Sequence, residues 1–86
     1  MGVNKKQRRT LEAIFARPTP ANIAWTDIES LFVALGAEIS ERRGSRVAVE
    51  LHGVTAIFHR PHPQKETKRY LVRDVRDFLM NCEVTP

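Results

Sequence analysis

The residues best suited to chemistry crowd into one stretch, "ERRGSRVAVELHGVTAIFHRPHPQKE", from Glu41 to Glu66. It holds His52, His59 and His62 among Arg42, Arg43, Arg46, Arg60 and Lys65. Histidine, with an ordinary pKa of about 6.5, takes and gives protons near neutral pH. Arginine stays charged and stabilises an anionic oxygen instead. Together these groups suit metal-free cleavage of a phosphodiester that has a neighbouring hydroxyl, as RNA does. A base removes the 2′-hydroxyl proton, an acid protonates the leaving oxygen, and cations hold the charge on phosphorus. A basic hairpin that binds an anion without cutting it would carry the same residue types.

Position sorts the histidines. "RVAVEL" alternates, with Val47, Val49 and Leu51 on one side. "VTAIFH" follows after only His52 and Gly53, a spacing that suits a tight hairpin turn. That register pairs Leu51 with Val54, Val49 with Ala56 and Val47 with Phe58, and puts Arg46 opposite His59. His59 therefore leads as the proton-transfer residue. His62 comes second, if the following loop folds back, and His52 is a turn residue. "HRPH" resembles a two-ligand metal spacing. It lacks a neighbouring cysteine or carboxylate, and Pro61 and Pro63 restrict His62, so neither metal nor cofactor is expected. The scattered glycines form no phosphate-cradling loop, and no serine or cysteine nucleophile sits beside a base.

The elements that must position these groups follow from periodicity. Leu11, Ile14 and Phe15 mark a first helix, with Asn4 and Gln7 as a capping box and Pro18 and Pro20 ending it. "TPAN" reads as a connector. Trp25, Ile28, Leu31, Phe32 and Leu35 mark a second helix, with Thr26 and Glu29 as a capping box and Gly36 as its C-terminal glycine. "AEISER" is a strand, and "HRPHPQKETKR" a loop broken by prolines. Leu71, Val75, Phe78, Leu79 and Cys82 mark a final helix. Its Arg69, Arg73 and Arg76 form a second stripe, expected to be a solvated face with Asp77 paired to Arg73. The result is an α+β fold of order α-α-β-β-β-α, a three-stranded antiparallel sheet with helices on one face.

Eighty-six residues suit one small domain, and a net charge of +4 suits an anionic partner, most simply nucleic acid, though an acidic protein or a membrane surface would fit the charge as well. The single cysteine precludes an internal disulfide framework. The basic start has no long apolar run after it, and no stretch is long enough to span a membrane, so a cytoplasmic protein is expected.

From Trp25 to Val84 the chain resembles the HicA toxin family of bacterial toxin–antitoxin systems. The resemblance lies in the helix "WTDIESLFVALGAEI", the turn "RRGSRV", the strand pair ending "FHRPHP" and the helix "RYLVRDVRDFLMNCEV". Residues 1–22 look like an added helical extension to a core of 23–86. The resemblance implies a fold like that of double-stranded-RNA-binding domains, and endoribonuclease action on mRNA. It also implies neutralisation by a HicB-type antitoxin; a monomer is expected when the chain is free of it. One position departs: Gly44 and Ser45 match the family's turn, but Arg46 stands where its catalytic histidine is usual. Either His59, with Arg46 and His62, takes over the chemistry, or the chain is a non-catalytic RNA-binding or protein-interaction module. The expected RNA contacts are Arg42, Arg43, Ser45, Arg46, Lys65, Lys68, Arg69 and Arg73.

Overall fold

The computed structural model describes residues 2–62 and 66–86. The elements run α1 (Lys5–Ile14), β1 (Ile23–Ala24), α2 (Trp25–Ala34), β2 (Glu38–Glu41), β3 (Arg46–Leu51), β4 (Val54–His59), β5 (Glu66–Thr67) and α3 (Arg69–Asn81). Strands β2, β3 and β4 form an antiparallel sheet in that order. The β3–β4 register is the expected one, with Val47 opposite Phe58, Val49 opposite Ala56, Leu51 opposite Val54 and Arg46 opposite His59. His52 and Gly53 turn the hairpin with positive φ values of 53° and 81°, as a primed turn demands. The turn is also latched, because His52 Nδ1 lies 2.8 Å from the Cys82 carbonyl oxygen and the Cys82 thiol donates to the Leu51 carbonyl. Burial pushes the Cys82 thiol's pKa up.

Period-two alternation then decides the layers. Val47, Val49, Leu51 and Phe58 are buried on one sheet face against Ile28, Leu31 and Phe32 of α2 and Leu71, Val75, Phe78 and Leu79 of α3. Trp25, Phe32, Phe58 and Phe78 form an aromatic cluster, with ring centroids 5.7 to 6.4 Å apart in mostly edge-to-face contact. The first helix packs on α2 and α3 and adds Leu11 and Ile14 to the same core.

Local chemistry explains the helix ends. Asn4 and Gln7 form the expected capping box, and the Gln7 amide also donates to Ser30 Oγ at 2.8 Å, tying α1 to α2. Helix α2 ends as expected: Gly36 takes φ +92°, and the Gly36 and Ala37 N–H groups donate to the Val33 and Phe32 carbonyls. Its start differs. The helix begins at Trp25, Ala24 is the N-cap, and no side chain caps it. Glu29 is engaged elsewhere, so the box expected of Thr26 and Glu29 does not form.

Two further expectations are corrected. Ile23 and Ala24, which follow the "TPAN" connector, and Glu66 and Thr67, within the expected loop before α3, form a pair of two-residue strands, with Ile23 paired to Thr67 and Ala24 to Glu66. Strands this short carry no period to read, and the nearby prolines pointed to a loop. The arginine stripe of α3 is a solvated face only in part, since Arg69 and Arg73 are exposed and Arg76 is not. Arg76 is only 6% exposed. Its guanidinium donates to the carbonyls of Ile14 and Ala16 and to Thr19 Oγ1, while Arg69 Nε donates to the Thr19 carbonyl. Arg73 is exposed, and among the described residues no ion pair joins it to Asp77.

Candidate nucleic-acid interface

His59 is positioned by its neighbours on either side. Phe58 is buried in the aromatic cluster, contacting Trp25, Phe32 and Phe78. Arg60 carries the chain one rung further, its N–H donating to the Ser45 carbonyl at 2.8 Å. Its guanidinium grips Glu41 through two bonds, of 3.1 and 2.9 Å, and Glu29 through a third of 3.0 Å. Glu29 also accepts from Trp25 Nε1 at 2.6 Å. With both flanking residues anchored, strand alternation turns the exposed His59 to the opposite, outer face. A bidentate arginine–carboxylate pair adds directional specificity that a lysine could not. The hydrogen bond from Arg60 holds the Glu41 carboxyl below its ordinary value, with desolvation opposing it and the Arg60 charge adding to it. The Arg60 pKa is raised in turn.

Beside His59 the turn between β2 and β3 presents Arg42, Arg43, Ser45 and Arg46, all exposed. The turn is closed by the Arg42 N–H donating to the Arg46 carbonyl at 2.9 Å, with Gly44 at φ +68°. Arg46 Nε leans back toward the Arg43 carbonyl at 3.4 Å. Charge is polarised along the outer sheet face. The far rung places Glu38 beside Glu50, and the near rung places Arg46 beside His59. A polyanion is attracted to the near end and repelled from the far one.

Next to this rung lies a cleft of about 400 Å³ lined by His59, Arg60, Pro61, His62, Glu66, Lys68, Tyr70 and Leu71. It gathers three of the expected site residues, His59, His62 and Lys68. The pairing of β5 with β1 carries Glu66 to its wall. The first turn of α3 has no acidic residue and no side-chain cap, so its N–H groups add positive potential there. Arg69 is partly committed to Thr19. Lys65 lies outside the described residues.

Sequence reading missed Arg60, Glu66 and Tyr70. Only Arg60 left a signal: it shares strand parity with buried Phe58, which marks it as inward-facing. The basic run of α1 puts Lys5, Arg8 and Arg9 on the surface, while Lys6 pairs with Asp27 at 3.5 Å.

A sheet covered by helices on one face, with a basic, histidine-bearing rung exposed on the other, defines a small α+β protein. The family model for the HicA toxin of bacterial toxin–antitoxin systems matches residues 25–79 of the 86, and the chain belongs to that family. Helix α1 precedes the matched region as an extra element. Neither curated proteins nor solved structures gave a match. Among the described residues no helix is long and apolar enough to cross a membrane.

Proposed function

We propose that this toxin is an endoribonuclease that cleaves mRNA and is silenced by a HicB-type antitoxin. The observation that carries this reading is the single cleft shared by His59, His62 and Lys68, with Arg46 across the strand pair from His59. His59 takes the proton of the RNA 2′-hydroxyl. The 2′-oxygen attacks phosphorus, and the 5′-oxygen leaves with a proton from His62. Arg46 and Lys68 stabilise the charge that builds on the phosphoryl oxygens. The products are a 2′,3′-cyclic phosphate and a 5′-hydroxyl, so no water, metal or cofactor is consumed in the step. In this scheme Arg46 occupies the position after Gly44 and Ser45 as a phosphate ligand, and proton transfer passes to its cross-strand neighbour.

Arg42, Arg43, Ser45, Lys65, Lys68, Arg69 and Arg73 contribute backbone contacts around this centre. The antitoxin competes for the same surface, so it carries acidic groups toward the Arg42–His62 region. Arg46 also favours a second reading, an RNA- or protein-binding module that does not cut. Inducible expression decides between them. Wild-type chain should arrest growth and fragment mRNA, while His59→Ala should do neither. Growth arrest with intact mRNA would favour the binding module.

A further inference from the structure

The aromatic residues of this chain are distributed unevenly. Trp25, Phe32, Phe58 and Phe78 are buried, and Phe15 packs against the core. Tyr70, the one tyrosine, is 57% exposed and lines the cleft with His59, His62 and Lys68. Its neighbours Leu71 and Val72 are buried, and the preceding Arg69 is bonded to the Thr19 carbonyl at 2.9 Å. The ring therefore stands on a pinned first turn of α3, so holding it against a ligand costs little further ordering.

We propose that Tyr70 is the stacking platform for an unpaired base next to the phosphate held at His59. This rests on the nuclease reading for what happens at that phosphate, but not for binding itself. An exposed aromatic beside basic side chains, here Lys68 of the cleft and Arg46 on the adjoining rung, with Glu66 an acid in the same wall, is the kind of arrangement by which proteins hold single-stranded nucleic acid, because every base offers a π-face. A base inside a duplex has both faces covered by its neighbours and cannot meet the ring. The substrate is therefore single-stranded, despite a fold of the kind that elsewhere reads duplexes by shape. Tyr70 acts as a binding residue that sets substrate class and takes no part in proton transfer.

A single tyrosine makes the test direct, since its ring gives one set of NMR resonances. The probe is a 2′-O-methyl hexanucleotide, single-stranded or annealed to its complement, which binds without being cut. The single strand should move the Tyr70 ring protons upfield by ring-current shielding, and should bind more tightly than the duplex. Tyr70→Ala should weaken single-strand binding roughly 5- to 150-fold, with an unchanged melting temperature because the ring is exposed. Tyr70→Phe should keep the affinity. Unmoved ring resonances in the complex, unchanged affinity of Tyr70→Ala, equal duplex binding, or no binding at all would each overturn the proposal. Ring shifts and lost affinity without cleavage of an unmodified RNA would uphold it while sinking the nuclease reading. Cleavage with Tyr70→Ala binding intact would do the reverse.

Discussion

Arg76→Ala should be among the most destabilising single substitutions in the molecule. The guanidinium is buried with no carboxylate partner among the described residues, held by main-chain carbonyls at the end of α1 and by Thr19 Oγ1. Helix α1 has no basic residue in its own last turn, so Arg76 supplies the positive charge that its negative end favours. The bonds to Ile14 and Thr19, at 3.0 and 2.7 Å, are well formed, and the contact with Ala16 at 3.5 Å is marginal. Hydrogen bonds of a charged donor are worth about 1.5–3 kcal/mol each, so two give about 3–6 kcal/mol. Chains of this size have total stabilities of roughly 4–13 kcal/mol. At about 4–8 °C per kcal/mol, even the lower figure predicts a fall in Tm of ~12 °C or more. Arg76→Lys should recover only part of it, since one ammonium cannot reproduce the fork. Thermal unfolding followed by circular dichroism is the assay. A fall of less than about 4 °C, equivalent to under 1 kcal/mol, would show that water replaces the guanidinium at little cost and refute the reasoning.

Glu41→Gln should cost stability in a pH-dependent way. The Glu41 carboxyl is held below its ordinary value of 4.5 by Arg60. A depressed carboxylate contributes stability above that value and loses it as the pH falls through the lower folded one. Melting temperatures of wild type and variant should therefore differ most above pH 4.5 and converge below it; a gap that persists in acid would contradict this. Lys68→Ala with Arg43→Ala should lower the slope of log affinity against log salt by about 0.7 per lost phosphate contact on single-stranded RNA. An unchanged slope in titrations with a labelled oligonucleotide would remove both residues from the interface.

Much of this fold is legible in the sequence because strand alternation and helical spacing are local. Val47, Val49 and Leu51 with the His52–Gly53 turn dictate the hairpin and with it the Arg46–His59 rung. What escapes is long-range polar pairing. Arg76 and Thr19 lie 57 positions apart, and Arg60 and Glu29 lie 31 apart. A surface arginine and a buried one look alike in a helical stripe, because periodicity reports which residues share a face and not what covers it. Glu29 shows the same limit: its spacing from Thr26 matched a cap, but Arg60 and Trp25 engage it instead. The cleft itself depends on β1 meeting β5 across more than forty residues. Thus His59 could be placed from the sequence, while its wall of Glu66 and Tyr70 could not.

The most direct measurement is single-turnover cleavage of a labelled single-stranded RNA by purified wild-type protein and by His59→Ala, each with its melting temperature recorded. Wild type should release a 2′,3′-cyclic phosphate end. The variant should melt as wild type does and cleave roughly 100- to 10,000-fold more slowly, the range lost with one positioned proton-transfer group. A folded His59→Ala protein that cleaves at the wild-type rate, or a wild-type protein that leaves the RNA intact, would contradict the account.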